Sequence, residues 1–158
     1  MKVAFAAAAA AVIGFAFAES ALAAEFEGEL VACPSIGTAI GDVGSCGKIW
    51  KLTYGEAELA SNGHLKVKVK GLVLNDTTTG EYNGTPDGVD AVAAAVLCHG
   101  PGGAKVVAQT EPVPLSKQGN ATIEAKVKLP GKCIAPVIVL RERYEGKIGG
   151  WLAATGVE

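Results

Sequence analysis

The segment GHLKVKVKG, residues 63–71, alternates strictly between apolar and polar side chains. Leu65, Val67 and Val69 fall on one side of an extended chain, and the intervening lysines fall on the other. A period of two residues is typical of an antiparallel strand with one buried face. Residues 120–129, NATIEAKVKL, repeat the pattern. We therefore predict two strands that lay their apolar faces on a common core.

Further strands are predicted between turn-forming residues along the rest of the chain. Residues 48–59 alternate but change phase at Gly55, which predicts a bulge or a bend there. Residues 89–98 are apolar on both faces, which predicts a central strand covered on both sides. The remaining predicted strands are 104–109, 135–143, 148–155 and a short one near residue 33. About seven to eight such strands predict an all-β fold, a single-domain antiparallel β-sandwich with Ig-like, Greek-key connections.

The N-terminus has the composition of a cleaved secretory signal peptide. Lys2 precedes an apolar run at residues 4–18, and Ala-Leu-Ala at residues 21–23 fits the cleavage rule for signal peptidase. We predict that residues 1–23 are removed and that residues 24–158 form the β-sandwich domain. The expected location is secreted, either extracellular or periplasmic, and the alanine-rich leader favours a bacterial source.

The net charge and the position of a lipidation-like segment limit the expected partners. The formal net charge is −2, and Lys2 and Glu19 of the leader cancel, so the mature chain keeps the same value. This balance argues against a general attraction to nucleic acid or to anionic lipid. The LVAC segment, residues 30–33, resembles a lipidation box, but three glutamates separate it from the apolar run. We expect no membrane association after cleavage and a protein or a surface polymer as the partner.

The chain contains four cysteines, an even number that predicts two disulfides in an exported protein. Of the three possible connectivities, we favour Cys33–Cys46 and Cys98–Cys133. His99 directly follows Cys98, and the two residues could be interpreted as a reactive cysteine–histidine pair. Neighbouring side chains of a strand point to opposite faces, so these two residues cannot act as a nucleophile and its base.

The loop at residues 75–90 is long and rich in oxygen-bearing side chains. Its carboxylates, Asp76, Glu81, Asp87 and Asp90, are candidates for a calcium site, although their spacing matches no EF-hand. The simpler reading is a solvated loop. A secreted enzyme or a calcium-dependent binder that uses this loop is the alternative hypothesis.

Five lysines on the predicted outer faces form a candidate binding surface. They are Lys66, Lys68 and Lys70 of one strand and Lys126 and Lys128 of the other. A cationic patch of this kind would attract an acidic surface polymer. The alternative is that the charges solvate the strands and prevent edge-to-edge aggregation.

Catalytic motifs are scarce in the sequence. The chain has two histidines, His64 and His99, and no Gly-x-Ser-x-Gly motif or zinc-ligand spacing. We therefore expect neither an enzyme nor a cofactor, but a secreted protein that works by binding or as an envelope component. A third hypothesis, inhibition of a secreted enzyme, would use the loop between Cys33 and Cys46.

Overall fold

The computed structural model describes residues 26–156, so the predicted signal peptide lies outside the described residues. Eleven strands and one short 3-10 helix, Thr77–Tyr82, make up the fold. The strands are β1 (Phe26–Ala32), β2 (Trp50–Lys51), β3 (Tyr54–Leu59), β4 (His64–Lys70), β5 (Val73–Leu74), β6 (Ala91–Gly100), β7 (Gly103–Gln109), β8 (Val113–Pro114), β9 (Ala121–Lys126), β10 (Ile134–Tyr144) and β11 (Lys147–Thr155). Eight of them have six residues or more, which agrees with the predicted number.

Nine of these strands form one antiparallel sheet in the order β7-β6-β10-β11-β1-β3-β4-β9, with β8 paired to β6. β1 joins two groups of strands, because Phe26–Glu29 pair with β3 while Leu30–Ala32 pair with β11. We call β3, β4 and β9 the open half and β6, β7, β10 and β11 the covered half. β2 and β5 form a separate two-stranded sheet.

The two halves share one hydrophobic core. Leu65 and Ile123 of the open half belong to the same buried cluster as Ile138, Leu140 and Leu152 of the covered half. At the far ends of the sheet, β7 and β9 line opposite sides of one groove. The predicted antiparallel β-sandwich is therefore confirmed, and its Ig-like assignment stays a prediction.

The alternating segments adopt the predicted orientation. Along β4 the apolar residues are buried and the polar residues between them are half-buried or exposed. The preceding turn places Gly63 at φ 84°, and the Asn62 side chain accepts a hydrogen bond from the His64 backbone N–H. The predicted bend at Gly55 is displaced, because the chain leaves the strand at residues 52–53 and Gly55 lies inside β3.

β6 is the predicted central strand, and all residues from Ala91 to Cys98 are buried. The cover on its outer side is the segment 33–49, which crosses β11, β6 and β7. Trp151 of β11 donates from Nε1 to the Thr38 carbonyl at 2.8 Å, and the Val106 backbone N–H donates to Asp42 at 3.0 Å. A Cβ at Gly41 would lie 2.2 Å from the Ala104 carbonyl oxygen and 3.0 Å from Leu97 Cδ2, so this contact requires glycine.

Candidate functional site

The loop at residues 75–90 is ordered by its own side chains and by the sandwich beneath it. Asp76 caps the 3-10 helix by accepting bonds from the backbone N–H of Thr78 at 2.9 Å and from its hydroxyl at 2.6 Å. These bonds hold the pKa of Asp76 below its usual value, because they stabilise the carboxylate. The Leu74 N–H donates to the Thr85 carbonyl at 2.9 Å and thereby ties the loop to β5.

The other two aspartates of the loop are held in ion pairs. Asp87 lies 2.5 Å from the Lys48 ammonium, and Asp90 accepts from Arg143 Nε at 3.1 Å and Nη2 at 2.6 Å. The hydrogen bonds from Arg143 lower the pKa of Asp90, and the bond to Asp87 raises the pKa of Lys48. Each of these carboxylates is therefore oriented by one cationic side chain.

The four candidate calcium ligands, Asp76, Glu81, Asp87 and Asp90, do not converge on one point. Asp76, Asp87 and Asp90 have separate partners, and Glu81 is exposed on the 3-10 helix. Within residues 26–156 there is no group of three acidic, histidine or cysteine side chains placed to hold a metal ion. The geometry thus assigns Asp76 to loop capping and Asp87 and Asp90 to ion pairing.

Two tyrosines that sequence reasoning did not single out stand at this end of the sandwich. Tyr82 is 51% exposed and Tyr144 is 50% exposed. Gly88, at φ 74°, lies against the Tyr144 ring. A Cβ there would be 2.8 Å from Tyr144 Cε2, so only glycine lets the ring approach the loop this closely. Tyr82 and Gly88 line a groove of about 510 Å³ together with Asp87, Asp90 and neighbouring residues.

The sequence did contain a signal for these tyrosines. Tyr82 is an aromatic residue inside an otherwise polar loop, and Tyr144 ends a strand directly before the Glu145-Gly146 turn. An aromatic side chain at such positions has no strand face on which to be buried. By contrast, Trp50 and Trp151 lie on strands with an inward face and are 5% and 0% exposed.

The lysine rows lie on the outer face of the open half, where glutamates oppose them. Lys66 is directly across from Glu58 on β3 and Glu124 on β9, and its ammonium is 3.6 Å from Glu58. Lys68 faces Glu56 across the same strand pair.

The ends of the lysine rows have other neighbours. Lys70 lies 5.8 Å from the centre of the Tyr54 ring, and Lys126 is opposite His64. Lys128 is exposed just beyond β9. The face therefore mixes both signs of charge, and the patch for an acidic polymer stays a prediction.

Both predicted disulfides are confirmed. Cys33 is bonded to Cys46, and Cys98 is bonded to Cys133. Cys98 is buried and His99 is exposed, so the two neighbours point in opposite directions as expected.

The Cys33–Cys46 disulfide closes a loop whose tip is exposed. Ile36 is 62% exposed. The loop behind it is held by a bond from the Gly37 N–H to the Ser45 hydroxyl oxygen at 2.8 Å and by the bond between Trp151 and the Thr38 carbonyl. A rigid, solvent-facing apolar residue next to a disulfide is thus present in this loop.

Comparison of the chain with models of protein families, with curated proteins and with solved structures finds no match. Across residues 26–156, no helix has the length and apolar character needed to cross a membrane.

Proposed function

We propose that the protein is a secreted, disulfide-stabilised β-sandwich that acts by binding a protein or a surface polymer outside the cell or in the envelope. Two disulfides support export, because such bonds persist in oxidising compartments. The leader-like composition of residues 1–23 supports it independently. The source we propose is bacterial.

The observation that carries the proposal is the end of the sandwich built by Tyr82, residues 85–90 and Tyr144, which we call the tyrosine end. Exposed aromatic rings are enriched at binding surfaces, because they bury a large area with few rotatable bonds. Here the Tyr144 ring lies against the backbone at Gly88. A side chain held in place before binding loses little conformational entropy on contact with a ligand.

The same surface favours binding over acid–base chemistry. The two aspartates that line the groove beside Tyr82, Asp87 and Asp90, are engaged with Lys48 and Arg143. A lowered pKa keeps Asp90 ionised at neutral pH, whereas a general acid needs a raised one. The ion pairs hold these carboxylates in place, so that they could act as fixed hydrogen-bond acceptors at the rim of a binding site.

Export is tested by the intact mass of the protein recovered outside the cytoplasm, with a thiol-alkylating reagent applied before and after reduction. We expect a chain that starts at Ala24, no label before reduction, and one label on each of the four cysteines afterwards. A chain that retains residues 1–23, or a lipid adduct, contradicts the proposal.

Binding is tested by co-sedimentation of the mature protein with insoluble envelope polymers and by retention of secreted proteins on the immobilised protein. We expect binding in at least one of these two experiments, and we expect an excess of the free, unlabelled mature protein to compete with it. Retention in neither arm contradicts a binding function.

Inhibition of a secreted enzyme is a second candidate, favoured by the rigid exposed tip at Ile36. Inhibitory loops act by presenting a fixed conformation to an active site, which lowers the entropy cost of binding. The mature protein would be titrated against secreted proteases and glycosidases. We expect Ile36→Ala to abolish inhibition and Ile134→Ala, at an apolar residue 67% exposed elsewhere, to preserve it. Equal effects of the two changes count against this candidate.

A further inference from the structure

We infer that two copies of this chain associate through the free edge of β9, so that the sheet of one copy continues into the sheet of the other. The inference is independent of the proposed binding function. In the part of the chain that the structure describes, β9 pairs with β4 alone and ends the sheet. An unpaired strand edge presents backbone donors and acceptors to which another strand can bind.

The first step is the direction of the backbone groups of β9. The Val127 N–H donates to the Gly63 carbonyl at 2.8 Å, toward β4. Backbone groups of successive strand residues point alternately to the two sides, so those of Ala125 also point to β4. The N–H and C=O groups of Glu124 and Lys126 therefore point to the free edge. A groove of about 520 Å³ between β9 and β7 leaves this edge open to another strand.

The opposite edge of the sheet, β7, is protected against such pairing. Its register with β6 is interrupted, because Val107 is an extra residue between Val106 and Ala108. The Asp42 side chain also accepts a hydrogen bond from the Val106 N–H at 3.0 Å and so occupies an edge donor. Bulges and inserted charged side chains are known ways of blocking strand edges. The register of β9 with β4 runs without a shift, which makes β9 the edge suited to pairing.

The second step is the sequence of β9, which is complementary to itself. A two-fold axis at Ala125 brings Glu124 of one copy opposite Lys126 of the other, and symmetry supplies the reverse pair. Opposite charges directly across an antiparallel pair are stabilising. Both side chains are exposed, and across the described part of the chain neither takes part in a salt bridge. In the same register Ile123 lies opposite Val127, and both are buried.

The third step is the choice of register. An axis at Glu124 or at Lys126 would place like charges directly opposite each other, which is destabilising. An axis between two residues would set an outward side chain opposite an inward one, because the faces alternate at every residue. The axis at Ala125 also makes Glu124 and Lys126 a hydrogen-bonded pair, since the backbone groups of both point to the edge. The charges that discourage other pairings therefore favour this one.

The experiment measures the sedimentation of the mature protein over a concentration series up to about 1 mM, at which even a weak contact is populated. We expect the mass to rise from one chain to two and no further, because a two-fold contact closes on itself. Glu124→Lys and Lys126→Glu should each weaken the dimer about tenfold or more, since each change converts two attractive pairs into two repulsive ones. Lys105→Glu, on the β7 edge, is the matched control and should leave the dimer unchanged.

A mixture of the two single variants separates loss of pairing from loss of the fold. One chain then presents two lysines at the edge and the other presents two glutamates, so every cross-strand charge pair is attractive again. We expect an equimolar mixture to form the heterodimer although each variant alone stays monomeric. Native mass spectrometry with one variant isotopically labelled identifies it, and thermal melting of each variant reports whether the sandwich remains intact.

Three results overturn the inference: a wild-type protein that stays monomeric, a dimer that Lys105→Glu disrupts, and a mixture of the variants that does not associate. Retention of a foreign protein that both single variants lose also overturns it, because the edge would then belong to a strand of another chain. That last result would support the proposed binding function, so the two proposals fail separately.

Discussion

The two halves of the sandwich bury their strands in different ways. The covered half has Ala91–Cys98 buried on both faces, with the segment 33–49 laid across its outer side. The open half has one buried face, and its other face carries opposed lysines and glutamates. The difference shows how one sheet can hold two kinds of strand: small apolar residues suit a face that a loop must approach closely, and charged residues suit a face left in water.

The charged face also contains like charges that the ladder places side by side. Glu27 and Glu29 of β1 lie directly across from Glu58 and Glu56 of β3. Such pairs are mildly destabilising, and opposite charges on the next strand offset them. We therefore expect the stability of this protein to reside mainly in the covered half.

The largest expected effect is the loss of the buried tryptophan under the covering segment. Trp151→Ala removes a fully buried side chain and its bond to the Thr38 carbonyl, and should cost about 3–5 kcal/mol in free energy of unfolding. Urea denaturation measures it. Lys68→Ala on the open face is the control and should stay within about 0.5 kcal/mol. Similar losses in the free energy of unfolding for the two variants would contradict the expectation that stability resides mainly in the covered half.

The two disulfides should contribute unequally. Their cysteines are separated by 13 residues in Cys33–Cys46 and by 35 in Cys98–Cys133. In the chain-entropy account the shorter loop contributes about 3 kcal/mol and the longer about 4 kcal/mol. Paired Cys→Ala variants compared by urea denaturation test the order. A larger loss from Cys33 and Cys46 would mean that the covering segment also loses packing against Trp151.

A buried hydroxyl tests how much stability depends on hydrogen bonds to the buried backbone N–H groups of the covered half. Thr155, 2% exposed, accepts a bond from the Ile138 N–H at 3.0 Å. Thr155→Val should cost about 1–3 kcal/mol, because it leaves that buried N–H without a partner. Thr155→Ser keeps the acceptor and should cost less, whereas the exposed Thr122→Val should have little effect. Thermal unfolding ranks the three variants.

The smallest expected effect lies in the charge ladder of the open half. A double-mutant cycle on Lys66 and Glu58 should give a coupling energy of about 0.2–1 kcal/mol, because the pair is largely exposed. Added salt should reduce the coupling through screening. A coupling that exceeds this range and resists salt would show that the open face is more rigidly organised than its exposure indicates.

Much of the fold followed from local patterns. The alternation in residues 63–71 placed β4 and its buried face, and the doubly apolar run at residues 89–98 marked the central strand. The bend predicted at Gly55 was misplaced by two to three residues, because the strand is interrupted at residues 52–53. The change of phase in the sequence marks a glycine that faces inward, but it does not specify the residue at which the strand is interrupted. Neither period nor propensity predicted that β1 would pair with both halves.

The candidate site was less accessible from sequence. The acidic loop was recognised, and its carboxylates were weighed as candidate calcium ligands against a solvated loop. The pairing of Asp87 with Lys48 and of Asp90 with Arg143 was not predicted. Those partners lie 39 and 53 residues away along the chain. A spacing pattern within one loop contains no information about partners supplied by other segments.

By itself, the sequence determined the β-class, the alternating faces and two disulfides, because these depend on residue period and on the number of cysteines. Only the tertiary structure decided which face is covered, which charges cancel and which aromatic rings stay exposed. Trp151 and Thr38, joined by one hydrogen bond, are 113 residues apart. Contacts over such distances form when the whole core closes, and short-range patterns do not specify them.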